Sequence, residues 1–289
     1  MTRPPASVMS RALRGVARRC KTLRDTIEWR TAHAVRHESP RLRNRWGQCY
    51  QAISLSEYHY LRDGNPETYE SALIERILRP GMTVLDVGAN HGMFSLEAAH
   101  FVGPEGVVHA FEPAPVTRSL LLSNLAVNGI TTVKVFPSAI GETPGLAHLR
   151  VHREMSGLNT LAPDDVTWNG TVLRADEIIE VPVTSLDTHA EVERLHYIDF
   201  LKIDVEGFEL GVIRGARGLL RAKRIARIML EIGDLTFSNA GVTCLDVLKE
   251  LESLDYHLHR ITPEGEVAER IQAFPATSFS ANFFAVPAI

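Results

Sequence analysis

The segment Met82-Thr-Val-Leu-Asp86-Val-Gly88-Ala-Asn90-His-Gly92-Met-Phe-Ser constrains this chain more than any other. A short apolar run ends in an acid. A turn of small residues follows, and then a helix-like pattern begins. That order describes a β-strand feeding a tight loop at a helix N-terminus, the place where α/β proteins hold nucleotide-like ligands. The spacing is Asp-x-Gly-x-x-x-Gly, not the Gly-x-Gly-x-x-Gly of dinucleotide sites. A carboxylate at Asp86 stands where a pyrophosphate needs bare backbone. It repels phosphate and suits a ligand that carries positive charge. S-adenosylmethionine, with an ammonium, a sulfonium and no phosphate, fits that requirement; NAD and ATP do not.

The rest of the chain alternates in the same way. Strands are expected at Thr83–Val87, Gly106–Phe111, Thr131–Phe136, Ile198–Ile203 and Ile225–Ile232, with helices at Gly92–Phe101, Val116–Asn128, Gly207–Leu220 and Val242–Leu254. Residues 50–80 read as an introductory helical stretch. Residues 142–185 are less regular, with strands at Ala147–Val151 and Glu180–Val183 around a polar loop, Ser156-Gly-Leu-Asn-Thr160. Tyr256–Arg260 and Asn282–Val286 read as a closing antiparallel pair. Alternating strands and helices imply a mostly parallel sheet covered on both faces.

Residues 1–46 differ from the body. They hold 12 Lys+Arg against 3 Asp+Glu, a local +9, whereas the remainder holds 19 against 32. Met9, Leu13, Val16, Cys20, Leu23 and Ile27 recur at spacings of four and three with arginines between them, the pattern of a basic amphipathic helix. Such a helix packs on the body, or lies on an anionic membrane surface. The expected organisation is an arm over residues 1–49 and a catalytic domain over 50–289. The three cysteines are far apart and suggest neither a disulfide framework nor a zinc site. No run reaches the length of a membrane span, and no secretory signal pattern is present. A cytoplasmic protein with peripheral membrane contact is the expectation.

Four constellations carry chemistry. The first is the Asp86/Gly88/Asn90/Gly92 loop. The second is Glu112 at the end of the next strand, where a carboxylate can accept both ribose hydroxyls. The third is Ser138-Ala139-Ile-Gly141, whose small residues leave room for a flat ring. The fourth is Leu201-Lys202-Ile-Asp204-Val-Glu206-Gly-Phe-Glu209, joined by Glu231 from the adjacent strand. Charges in so apolar a run are costly unless paired or employed. These carboxylates suit deprotonation of a hydroxyl, sugar binding or a divalent cation. With no tight ligand spacing and no His or Cys partner, a metal-free site is expected.

Taken together, these strings resemble the FkbM family of S-adenosylmethionine-dependent methyltransferases. The resemblance rests on Arg79–Ser95, Phe111-Glu-Pro113, Ser138–Gly141, Val183–Asp187, Leu201–Glu209 and Asn282–Ala285, and covers about residues 66–286. It implies a class I, Rossmann-like methyltransferase fold with a seven-stranded sheet, and O-methylation of a hydroxyl on a sugar, glycolipid or polyketide-like molecule. Asp204 is then the preferred base, with Lys202, Glu206 and Glu231 positioning or tuning it. A scaffold that binds the methyl donor without turnover is the alternative. Nucleic-acid methylation is a third reading, opposed by the acidic body and by the absence of an Asn-Pro-Pro-aromatic motif.

Overall fold

The structure, a computed structural model, describes residues 41–52, 54, 58, 68–168, 171–274 and 279–288. The amphipathic pattern at Met9–Ile27 lies outside the described residues. The description opens with a hairpin, β1 (Arg41–Arg43) and β2 (Cys49–Gln51). The backbone N–H groups of Cys49 and Gln51 donate to the side chains of Asn128 and Asn124 at 2.7 and 3.0 Å. The hairpin therefore spans the boundary expected between residues 49 and 50 and is tied to the body. Its second strand also replaces the start of the helical stretch expected from residue 50; the helix there, α1, covers Thr68–Ile77.

From there strands and helices alternate as β3 (Thr83–Val87), α2 (Met93–Val102), β4 (Val107–Phe111), α3 (Pro115–Val127) and β5 (Val133–Phe136). An insertion follows, made of β6 (Ala139–Ile140), β7 (Gly145–Val151), β8 (Val166–Trp168), β9 (Thr171–Leu173) and β10 (Glu177–Thr184). Its strands β6, β10 and β7 form a separate three-stranded sheet. The alternation resumes with α4 (Leu186–Val192), β11 (Phe200–Ile203), α5 (Glu209–Arg214), α6 (Arg217–Arg221), β12 (Ile228–Gly233), α7 (Asp234–Asn239) and α8 (Cys244–Ser253). The chain closes with β13 (Tyr256–Ile261), β14 (Val267–Arg270) and β15 (Ser280–Pro287).

The main sheet has the order β14-β13-β15-β12-β11-β3-β4-β5. Strands β12, β11, β3, β4 and β5 run parallel, while β15 is antiparallel to both β12 and β13. Beyond the seven strands expected, the short β14 pairs with the edge of β13. The central strands are buried on both faces. Leu85, Val87, Leu201, Ile203, Ile228 and Leu230 pack in one cluster, and Val84, Phe200, Met229 and Phe284 pack in another with Phe94 and Leu73. This is why they read as continuous apolar runs.

The single helix expected over Gly207–Leu220 is two short ones. Asp187 explains the break. Its backbone N–H donates to the Gly215 carbonyl, and its carboxylate accepts the N–H groups of Gly218 and Leu219 at 2.8 and 2.9 Å. A side chain from the first turn of α4 thus caps a second helix start, satisfying donors that a continuous helix would have used internally. The topology reverses between β3 and β11: β4 and β5 are added on one side, β11 and β12 on the other. Such a reversal opens a crevice beyond the carboxyl ends of the strands.

Candidate active site

Strand register brings the polar residues together. Lys202 lies beside Asp86 on one side and Met229 on the other, and Met229 pairs with Phe284. Two residues further along β12, Glu231 pairs with Asn282. Because side chains alternate with a period of two, Lys202, Glu231 and Asn282 share one face of the sheet. Asp204 follows directly after β11, its N–H bonded to the Val87 carbonyl at 3.0 Å. These groups open into a cavity of about 520 Å³ whose lining is mostly apolar.

On the β3–β4 side the cavity is lined by Gly88, Ala89, Asn90, Glu112 and Ala139. Glu112 is buried. One carboxylate oxygen accepts the N–H of Asn90 at 2.9 Å and the other that of Ala114 at 2.8 Å. Burial raises its pKa to about 7, and these two bonds pull the other way. Asn90 sits in the left-handed region at φ 50°, and its side-chain oxygen accepts from Ser156 Oγ at 2.7 Å.

Three residues of the expected donor site lie elsewhere. Asp86 is fully buried behind the lining, where it accepts from Ser95 Oγ at 2.5 Å and faces Lys202 Nζ at 3.8 Å. Desolvation raises its pKa and Lys202 opposes the rise. The repulsive carboxylate inferred from the sequence is thus an internal anchor for a lysine. Gly92 packs against Leu121, which a Cβ there would meet at 2.2 Å. Ser138 lies off the cavity lining, whereas its neighbour Ala139 is on it.

Lys202, 6% exposed, bonds Asp204 at 3.0 Å and so links Asp86 to Asp204. Glu206 sits at φ 53°, and burial together with Glu231 and Asp204 pushes its carboxyl well above the usual range. Burial, with the charge of Asp204 adding to it, raises Glu231 to about 8; Ser280 Oγ donates to it. The loop between Asp204 and Glu209 is shaped by Glu209, whose carboxylate accepts the N–H groups of Val205 and Gly207, both at 3.0 Å. Asp204, Glu206 and Glu231 each offer an oxygen within 4.8 Å of the others, a grouping able to hold a cation. All four expected catalytic residues line the one cavity.

The sequence reading did not single out Tyr69 and Glu70 in α1, or Ser280 as a cavity residue; all three line the cavity together with Asn282. Asn282 Nδ2 donates to Glu70 Oε1. Because β15 runs antiparallel to β12, its first residues reach the carboxyl edge where the parallel strands end. The polar loop at Ser156–Thr160 covers the same cavity. Thr160 Oγ1 donates to the Glu206 carbonyl at 2.7 Å, while Ser156 holds Asn90. A signal for the loop was visible in its polarity, but nothing in the sequence reading placed the amino end of α1 beside β15.

Among the described residues, no helix is long and apolar enough to cross a membrane. The chain is similar to Methyltransferase 1 of Beauveria bassiana, 30% identical over 46% of this chain and 57% of that protein. It is 32% identical to the 31-O-demethyl-FK506 methyltransferase FkbM of Streptomyces tacrolimicus over 58% of this chain and 72% of that one. The match thus spans little more than half of the Beauveria bassiana relative. Among solved structures, methyltransferase FkbM of Methylobacillus flagellatus superposes with a TM-score of 0.44 at 15% identity, covering 92% of this chain and 60% of that chain. The family model described as Methyltransferase FkbM domain matches residues 86–258, from the acid near the end of β3 into β13, and on that match the chain belongs to the FkbM methyltransferase family.

Proposed function

We propose that the protein transfers a methyl group from S-adenosylmethionine to a hydroxyl oxygen of a small molecule such as a sugar, a glycolipid or a polyketide-like alcohol. One observation carries the reading. A single cavity holds Glu112, fixed by two backbone N–H groups, on one side, and the Lys202–Asp204 pair at the end of β11 on the other. The donor fits what the residues offer. Glu112 retains lone pairs for ribose hydroxyls, Ala139 leaves space for a ring, and the acid-rich lining favours a cation.

When bound, the donor supplies a methyl group already activated by a sulfonium, so the protein's task is alignment and proton removal. Asp204 would take up the proton of the acceptor hydroxyl as the methyl–sulfur bond gives way to a methyl–oxygen bond and S-adenosylhomocysteine leaves. Lys202, 3.0 Å away, holds that carboxylate in place. Glu209 fixes the loop on which Asp204 and Glu206 stand. Asn90, gripped by Ser156, closes the donor side.

Calorimetric titration with S-adenosylmethionine, S-adenosylhomocysteine and NAD tests the donor. Glu112→Ala weakens binding of the first two by roughly 1.5–3 kcal/mol, the scale of charge-assisted hydrogen bonds. Unchanged affinity in a folded variant sinks the assignment. Mass spectrometry of metabolites and glycans treated with the protein then seeks a gain of one methyl. Tight donor binding with no methylated product across that panel favours a non-catalytic scaffold.

We also infer, from the +9 charge of residues 1–46, that the N-terminal arm draws the enzyme to anionic membranes. Each basic residue near such a surface adds about 1 kcal/mol, and salt screens the attraction. Truncation belongs at residue 40, ahead of the β1–β2 hairpin. Salt-sensitive binding to anionic vesicles by the full chain, lost on truncation with donor affinity kept, is expected. Absence of vesicle binding by the full chain ends the idea.

A further inference from the structure

Among the described residues, five other than glycine hold their backbone in the left-handed region: Asn90, Arg194, Glu206, Lys223 and Asp255. Three of them stand one residue past the C-cap of a helix, where that conformation is the ordinary way to stop: Arg194 after α4, Lys223 after α6 and Asp255 after α8. Asn90 and Glu206 have no such reason. They stand in the loops that follow β3 and β11, at φ 50° and 53°, and both line the cavity. Asparagine takes this conformation more readily than glutamate, so Glu206 is the more strained of the two. Such residues persist where neighbours hold them. Here one segment holds both. Ser156 Oγ donates to the Asn90 side-chain oxygen and Thr160 Oγ1 to the Glu206 carbonyl, each at 2.7 Å. The second bond fixes the plane of the peptide after Glu206, and with it the ψ of that residue.

The segment that carries both hydroxyls is built to be stiff. Its base is closed by two backbone bonds between Arg150 and Thr160, at 2.9 and 3.1 Å. Within it the His152 N–H donates to Asn159 Oδ1 at 2.8 Å, and a single 3-10 turn spans Ser156–Leu158. Ser156, Leu158 and Thr160 are all buried. Ser54 Oγ donates to the Glu154 carbonyl at 2.6 Å and ties the segment to the chain ahead of α1. We propose that Ser156–Thr160 is a strap whose two hydroxyls are positioning groups: they hold the donor loop at Asn90 and the acceptor loop at Glu206 in their left-handed conformations, and through them an occupied donor side tightens the acceptor side. A stiff segment bonded to both loops makes the order of one depend on the order of the other. Donor binding then raises affinity for the acceptor, and acceptor binding raises affinity for the donor by the same factor. The inference rests on the methyltransfer reading, which makes the Asn90 side the donor's and the Glu206 side the acceptor's.

Hydrogen exchange of the full chain tests it, read by mass spectrometry over residues 88–92 and 204–209 with and without saturating S-adenosylhomocysteine. In the wild type the ligand slows exchange in both stretches, by about threefold or more at the second, the lower range of one hydrogen bond. Ser156→Ala weakens S-adenosylhomocysteine about three- to tenfold. Once saturated, it slows exchange at 88–92 but no longer at 204–209. Thr160→Val speeds exchange at 204–209 about threefold or more without ligand. It also deprives the Ala162 N–H of its acceptor at 2.9 Å, so Thr160→Ser, which keeps the hydroxyl, is the control and restores the wild-type rate. Exchange in α8, which lies off the cavity lining, stays unchanged; if Thr160→Val loosens α8 equally, the Ser156→Ala comparison decides. A saturated Ser156→Ala protein that protects 204–209 as the wild type does overturns the proposal, because the contact of Gly88 with Asp204 then carries the signal. So does a wild type that binds the ligand without slowing 204–209, and so does Thr160→Val exchanging there at the wild-type rate. If the wild type does not bind S-adenosylhomocysteine at all, the donor reading falls and the coupling with it, whereas the ligand-free rates of Thr160→Val and Thr160→Ser still decide the hold on Glu206.

Discussion

Gly88 and Asp204 touch through their backbones: a Cβ on Gly88 would stand 1.8 Å from the Asp204 carbonyl oxygen. The loop after β3 and the loop after β11 are therefore one packed unit. The neighbour that needs a side chain to be missing at Gly88 is the loop after β11. Gly88 also holds φ 83°, which side chains other than glycine's rarely accept.

Gly88→Ala is accordingly expected to damage both halves of the site at once. Overpacking of this kind costs about 1–3 kcal/mol, and the backbone strain adds about 1 kcal/mol. The melting temperature drops, and donor affinity and turnover fall together. A variant with normal stability that loses only donor affinity would show that the close approach is tolerated and that Gly88 acts on the ligand alone.

Asp204 and Lys202 separate by kind of failure. Asp204→Asn keeps the shape and should cut methyl transfer roughly a hundredfold or more, the scale of general-base catalysis, with donor affinity little changed. Lys202→Met leaves Asp86 buried without its cation, and removing one partner of a buried pair costs about 3–5 kcal/mol. It should therefore unfold at markedly lower denaturant concentration. Near-normal turnover by Asp204→Asn moves the proton-accepting role to Glu206 or Glu231, or shows that alignment suffices.

Chelation gives an independent reading of the same carboxylates. Lys202 Nζ, 3.0 Å from Asp204, already pairs one of the three carboxylates that could hold a divalent ion, Asp204, Glu206 and Glu231. Turnover is expected to survive excess chelator. Activity abolished by chelator and restored by magnesium or calcium assigns those three carboxylates to a metal instead.

Much of this arrangement was legible in the chain because it is local or strictly periodic. β3 begins and ends where its apolar run does, and the strand ends at Glu112 and before Asp204 follow from position in a parallel sheet. What escaped is set by pairings between distant segments. Asp86 faces Lys202 because β3 and β11 are neighbours in register, and that register is not written in either strand alone. Glu70 and Asn282 meet across 212 positions. The break between α5 and α6 comes from Asp187, which lies outside both helices. Residues whose partners lie within one strand or one turn were readable; those whose role is to hold another element were not.

The pair His109 and His189 lies on the other face of the sheet, away from the cavity lining, and gives the fold a measurable acid sensitivity. Their ring nitrogens are 2.8 Å apart, among Phe111 and Phe136. Both rings are buried, and burial lowers each pKa from 6.5 to about 4. The folded state then binds fewer protons than the unfolded one between these values, so stability is full above about pH 6.5 and is lost as pH falls toward 4. The loss is on the order of 3 kcal/mol per ring. Buried carboxylates such as Glu112 and Glu231, with raised values, act in the opposite sense: their stabilising effect is present below their unfolded values and lost as pH rises through about 7 to 8. A comparison with His109→Phe/His189→Phe isolates the histidines, because packing changes shift stability by an amount independent of pH. Urea unfolding from pH 7 to 4 should show the wild type losing stability more steeply than the double variant. Parallel profiles would mean that the two rings titrate in the folded protein as freely as in the unfolded chain.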